Sequence, residues 1–196
     1  NSEFAKFISQ TGYVTEAEFF GWSFVFHSQV PKAVQTIQGS QGAQWWRRVD
    51  SATWDWPTGS EGPKCDPEHP AVHLSWNDAK AYCKWAGGRL PTEAEWEHAA
   101  RGRLGDVTYP WGNTDPDDST HLPCNIWQGR FPDFNTARDG YAFISSALSF
   151  APNGYGLYGM AGNVWDWSAD PFRVKSLSKE SKTQANAMRG YRVIKG

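Results

Sequence analysis

Tryptophan is the residue that most constrains what this chain can fold into. Twelve of them, with 11 phenylalanines and 7 tyrosines, are spread among 19 glycines and 12 prolines. Glycine and proline interrupt regular elements, so the rings cannot all be gathered on long helices or broad sheets. They have to be wedged between turns, where each buries a large apolar area and loop carbonyls accept from the buried indole N–H groups. The pattern predicts a mixed, loop-rich α+β domain with little regular secondary structure. A carbohydrate-binding reading of the tryptophan surplus is the alternative, and core packing accounts better for most of the rings.

With 196 residues the chain suits one domain with a core of its own. Nineteen Lys and Arg face 21 Asp and Glu, a net charge of -2 with no basic run, which speaks against nucleic acid or an anionic membrane as partner. A mean hydropathy of -0.63 and the lack of a long apolar stretch exclude a transmembrane helix within these residues. Cys65, Cys83 and Cys124 lie far apart and lack Cys-x-x-Cys spacing, a poor pattern for zinc or a redox motif.

Three helix starts are legible. Thr15-Glu16-Ala17-Glu18, Ser75-Trp76-Asn77-Asp78 and Thr92-Glu93-Ala94-Glu95 each set a hydroxyl three residues before a carboxylate, the capping-box spacing. Behind Ser75, residues Ala79, Tyr82, Cys83 and Ala86 share a face, and Gly87-Gly88 supplies the stop. Trp96, Ala99 and Ala100 repeat the pattern behind Thr92, with Gly102 near the end. Phe4, Phe7 and Ile8 predict a short amphipathic helix at the start. Glu93, Glu95 and Glu97, at alternate positions, read as a solvated or capping set that shares no helical face. An irregular region from about Gln38 to Glu68 carries Trp45-Trp46 and Trp54-Asp55-Trp56, and turn signals recur from Tyr109 to Tyr158. Phe172 to Met188 reads as an exposed loop before a last strand at Tyr191–Ile194.

Several familiar chemistries are disfavoured. His69 and His73 have helical metal spacing, but Pro70 and Val72 argue against a helix, so both read as structural. His27, His98 and His121 have no partner pattern. Gly154-Tyr155-Gly156 lacks the Lys-Ser/Thr of a phosphate loop, and no Ser/His/Asp set stands out.

The run from His69 to Trp96, reading His-Pro-Ala-Val-His-Leu-Ser-Trp and ending Arg-Leu-Pro-Thr-Glu-Ala-Glu-Trp, resembles a signature of the formylglycine-generating enzyme family, the sulfatase-modifying factors. Tyr109-Pro110-Trp111-Gly112-Asn113, Asn125-Ile126-Trp127-Gln128-Gly129, Asn153-Gly154-Tyr155-Gly156-Leu157-Tyr158 and Gly162-Asn163-Val164-Trp165-Asp166-Trp167 follow in family order. The resemblance implies the sulfatase-modifying-factor variant of the C-type-lectin-like fold. In the family, a segment like Arg192–Gly196 precedes Gly-Ser-Tyr and two cysteines that carry the chemistry. The chain thus reads as a single domain over residues 1–196, truncated at both ends and expected to be inactive alone.

The resemblance further implies two structural calcium ions. The first falls on Asn125, the Ile126 carbonyl, Asp139 and the Tyr141 carbonyl. The second falls on the carbonyls of Gly159, Gly162 and Val164 and the carboxylate of Asp166, where the family usually has Glu. Such oxygen-rich sets suit Ca²⁺. Phe143 to Ser149 departs from a more polar family stretch while keeping its length. Trp165 matches an aromatic lining the family's active pocket, with a core tryptophan paired to Trp167 as the alternative. Trp45 and Trp46 either border a peptide groove or plug the long loop.

The implied activity converts the cysteine of Cys-x-Pro-x-Arg in an unfolded sulfatase polypeptide to Cα-formylglycine with O₂. Two thiolates suit Cu(I), and the resemblance puts both beyond Gly196, with a further cysteine there as the partner of Cys83. The alternative is a non-catalytic relative that binds sulfatases or other peptides. A third reading, the same fold in a sulfoxide synthase, needs a His-rich helical domain upstream. Ala100 stands where eukaryotic relatives have a structural cysteine, and no Asn-x-Ser/Thr is present. Both favour a bacterial, cytoplasmic protein, against the endoplasmic reticulum lumen for a eukaryotic one. A monomer without nucleic-acid or membrane partners is expected.

Overall fold

The computed structural model describes residues 1–39, 42–117, 119–173, 188 and 190–196. It is of the α+β kind, with short helices, two small sheets and much loop. Helix α1 spans Ser2–Thr11, α2 Glu16–Phe20, α3 Trp76–Trp85 and α4 Glu93–Ala100. All three capping boxes form: Thr15, Ser75 and Thr92 each accept from the backbone N–H three residues on, and Glu18, Asp78 and Glu95 reach back. Among the described residues no helix is long and apolar enough to cross a membrane.

Strands β1 (Trp22–Phe26), β2 (Ile37–Gln38) and β3 (Trp46–Asp50) form an antiparallel sheet in the order β1-β3-β2. Trp46 therefore opens a strand inside the region expected to be irregular. Its cross-strand partner Phe26 supplies the pairing that a single-chain pattern does not reveal. Strands β4 (Asp166–Pro171) and β5 (Arg192–Lys195) make a second antiparallel pair, with Asp166 opposite Lys195 and Trp167 opposite Ile194. The last strand lies one residue later than expected. Most of the loop expected over Phe172 to Met188 lies outside the described residues.

Phe4 and Phe7, four and two per cent exposed, pack with Trp54 and with Tyr13, Tyr82 and Trp85. Phe4 meets Phe7 and Trp54 edge-on, each at 5.4 Å between centroids, a favourable ring geometry. Asp78 ties this core together. Fully buried, it accepts from Tyr13 Oη at 3.0 Å, Glu16 N at 3.1 Å and Ser75 N at 2.8 Å. One carboxylate thereby holds the N-terminal ends of both α2 and α3. His73 is structural, as expected: it sits at φ 57° with Nδ1 2.9 Å from Ser23 Oγ and Nε2 2.8 Å from the Pro57 carbonyl.

Helix α4 corrects one expectation. Glu93 and Glu97 do share a face, being four apart, and Lys195 of β5 bridges them at 3.3 and 2.5 Å. Glu95 points elsewhere, into its capping box and a two-bond pair with Arg89. The alternation of the three residues hid the pair that matters.

Candidate metal and substrate site

Between Leu122 and Asp166 the backbone folds around side chains in place of strand ladders. Asp139 precedes Gly140 at φ 97°, and its Oδ1 accepts from Tyr141 N two residues on at 3.0 Å, the self-turning habit of Asp. The other oxygen accepts from Ile126 N at 3.2 Å. One carboxylate thus holds the backbone N–H groups of Ile126 and Tyr141, the two residues whose carbonyls are predicted ligands. Gln128, with no exposed surface, accepts from Asp139 N at 3.1 Å. Asn135 accepts from Gln128 N and Ala137 N and donates to the Ala142 carbonyl.

Asn125 is buried, and its Nδ2 donates to the Phe143 carbonyl at 2.5 Å and to Asn163 Oδ1 at 3.0 Å. A carbonyl only accepts, so the amide nitrogen must face it and Oδ1 is turned away. Asn125, Ile126, Asp139 and Tyr141, distant by up to sixteen positions in sequence, are therefore gathered into one polar knot. Their donor set is all oxygen with a single carboxylate, which fits a hard cation such as Ca²⁺.

The second predicted set lies on the run leading into β4. Gly159 and Gly162 take φ of 60° and 72°. The Gly162 carbonyl accepts from Val164 N at 2.8 Å, which leaves it a second lone pair. Asp166 accepts from Trp96 Nε1 at 3.0 Å, and burial pushes its carboxyl above the ordinary value. A half-buried carboxylate held by one indole N–H is undercompensated. This set also fits a cation, and Trp96 anchors its carboxylate to α4.

No copper site fits the described residues. Cys65 donates to Asp55 Oδ1 at 3.7 Å, Cys83 sits on α3, and Cys124 lies in the loop region. Burial raises all three thiols, Cys124 to about 11, the opposite of what a thiolate ligand needs. Among the described residues no three His, Cys, Asp or Glu side chains cluster for a metal. The predicted calcium sets, with one carboxylate each, are of a different kind.

Trp165 is 69 per cent exposed, so it is not a core ring paired with Trp167. Trp167 is instead held by its Nε1 donating to the Leu74 carbonyl at 2.9 Å. Beside Trp165 lies Gly196, at φ 144°, where a methyl would meet the Val164 carbonyl at 2.6 Å and the Trp165 ring at 3.3 Å. Trp45 and Trp46 are half-buried. Trp45 packs on Phe131 at 5.0 Å and Trp46 on Phe26 at 6.0 Å. A cavity of about 310 Å³ opens nearby, walled by Trp111, Cys124, Phe150 and Met160 among others, and none of these three tryptophans lines it.

Sequence reasoning assigned no role to Asn163, Ser145 or Gln128, which the structure places at the centre of this knot. For Asn163 a signal existed: Asn directly after Gly tolerates the left-handed conformation, and its φ is 64°.

The description "Sulfatase-modifying factor enzyme 1-like domain" matches residues 1–196. The chain is 54% identical over 172 residues to a formylglycine-generating enzyme of Thermomonospora curvata, covering 87% of this chain and 56% of that one. It is 47% identical over 184 residues to the formylglycine-generating enzyme of Bos taurus, covering 92% and 49%. It is also 46% identical over 178 residues to an inactive C-alpha-formylglycine-generating enzyme 2 of Bos taurus, covering 89% and 58%. The chain therefore spans about half the length of the curated relatives it matches. It belongs to the formylglycine-generating, sulfatase-modifying-factor family.

Proposed function

We propose that this chain is the scaffold portion of a formylglycine-generating enzyme, folded as the sulfatase-modifying-factor variant of the C-type-lectin-like architecture. The protein that carries it converts the cysteine of Cys-x-Pro-x-Arg in an unfolded sulfatase to Cα-formylglycine with O₂. The observation that supports this most is the family match along residues 1–196. Copper, when bound by cysteines outside these residues, supplies the O₂ chemistry. What the chain itself contributes is placement: β4 and β5 set Trp165 at the surface beside Gly196, where its ring is free to flank a peptide and keep water from it.

Two structural calcium ions belong to the same proposal, held by Asn125, Ile126, Asp139 and Tyr141 and by Gly159, Gly162, Val164 and Asp166. Asp139, accepting from the N–H groups of both Ile126 and Tyr141, supports the first site. The half-buried Asp166 carboxylate, anchored by Trp96 Nε1, supports the second.

Mass spectrometry of a Cys-x-Pro-x-Arg peptide, under air and under argon, tests the activity of the copper-loaded full-length protein. The thiol-to-aldehyde change is expected in air only. An unaltered peptide in air would favour the non-catalytic reading, to which the inactive bovine relative lends weight. Because Trp165 is largely exposed, Trp165→Ala should change stability by no more than about 0.5 kcal/mol while slowing turnover.

A further inference from the structure

Asn163 belongs to neither predicted calcium set, yet it is bonded to one and sits inside the other. Its N–H donates to the Asn125 carbonyl at 2.7 Å. Its Oδ1 accepts from Asn125 Nδ2 at 3.0 Å and from Ser145 N at 2.8 Å. Its Nδ2 donates to the Ser145 carbonyl at 3.1 Å. Ser145 and Asn125 are buried, and half-buried Asn163 joins them on the wall of the 310 Å³ cavity.

The peptide planes make the connection specific. The N–H of Asn163 and the carbonyl of Gly162 belong to one rigid, planar unit, so the bond to Asn125 orients a predicted ligand of the second ion. The carbonyl of Asn125 and the N–H of Ile126 form another such unit. Its N–H is held by Asp139 Oδ2, the carboxylate of the first ion. A continuous path thus runs from Asp139 through the 125–126 peptide to the 162–163 peptide and the Gly162 carbonyl. Gly162 has no room for a Cβ against the Asn125 carbonyl, which keeps the two strands of loop in contact.

We infer that Asn163 is a positioning residue that couples the two calcium sites, so that filling either raises the affinity of the other. This inference rests on the calcium reading proposed above. An ion on the first set orders Asn125 and Ile126, and through Asn163 the Gly162 and Val164 peptides. The second ion then meets a set whose ordering cost is already met, which is positive cooperativity without a change of shape. Repulsion between the ions opposes this, and the carboxylate in each site weakens it.

Calorimetric calcium titration of the full-length protein tests the coupling. Asp139→Asn disables the first site and Asp166→Asn the second. Each should lower affinity at the surviving site by about fivefold or more, the same factor in both directions as linkage requires. In an Asn163→Gly background that factor should fall below about twofold. Glycine keeps the positive φ without strain and the N–H bond to the Asn125 carbonyl, but removes the side-chain bonds to Asn125 and Ser145 that hold that bond in register, so the variant should still melt cooperatively in chelator. A role in folding alone would lower both affinities together and leave the factor unchanged, and that result overturns the inference. So does a wild-type factor of about one, or one of opposite sign. Absence of calcium binding in the wild type removes the calcium reading itself, whereas two independent sites remove only the coupling.

Discussion

Residues up to Ala100 and those from Arg101 to Trp165 are held by different means. In the first region the buried residues are mainly apolar: Phe4, Phe7, Val25, Val49, Trp54, Leu90 and Trp96. Among the described residues of the second, the buried side chains are Cys124, Asn125, Gln128 and Ser145, three of them polar. Apolar burial stabilises in proportion to area and needs no exact partner. A loop held by hydrogen bonds gains only about 0.5–1.5 kcal/mol net from each, against about 1–2 kcal/mol of backbone entropy per ordered residue. The contrast gives a physical reason to expect cations in the second region and not the first.

The largest effect expected lies in the aromatic core. Phe7→Ala should cost about 3–5 kcal/mol in chemical denaturation, by the same amount with calcium and with chelator. A loss that depends on calcium would erase the distinction between the regions.

Chelation comes next. Removing a native-only ion held at a hundred times its Kd costs about 2.7 kcal/mol. Hydrogen exchange should show the lost protection in the 122–166 loops while α1 amides stay protected. Equal loss in α1 would mean the two regions open as one unit.

Local capping is smaller still. Thr92→Ala removes the acceptor for Glu95 N and should cost about 1 kcal/mol in thermal or denaturant unfolding, without altering calcium affinity at the Asp139 site.

The smallest effect concerns acid. Arg89, and then the Thr92 backbone N–H, hold the Glu95 carboxyl down to about 2, against an ordinary 4.5. The folded state thus binds this proton less tightly than the unfolded state. The contribution is complete above about pH 5 and is lost as pH falls toward the folded value. Solvent screening keeps it slight. Glu95→Gln should flatten this part of the acid limb in a pH series of melts, and an unchanged limb would show that the exposed pair contributes nothing.

Legibility in the sequence followed the range of the interaction. The capping boxes at Thr15, Ser75 and Thr92 were readable because donor and acceptor lie three residues apart. The α1 face was readable because Phe4 and Phe7 recur at helical spacing. Strand β3 was not, because Trp46 becomes a strand residue through Phe26 on another segment. The Glu93–Lys195–Glu97 bridge spans 98 positions at its narrowest, and no local pattern announces it. The predicted calcium residues were legible only through family resemblance, since Asp139 before Gly140 reads locally as a turn.

By itself, then, the sequence determined where helices begin, that aromatic rings build the core, and which family the chain resembles, for these depend on neighbouring residues or on motif order. Tertiary structure alone decided that Trp165 faces outward, that Glu93 and Glu97 act as a pair, and that Asn163 joins Asn125 across 38 positions. Each of those outcomes depends on which distant backbone arrives opposite, and side-chain chemistry selects a partner only once the fold has brought it within hydrogen-bond reach.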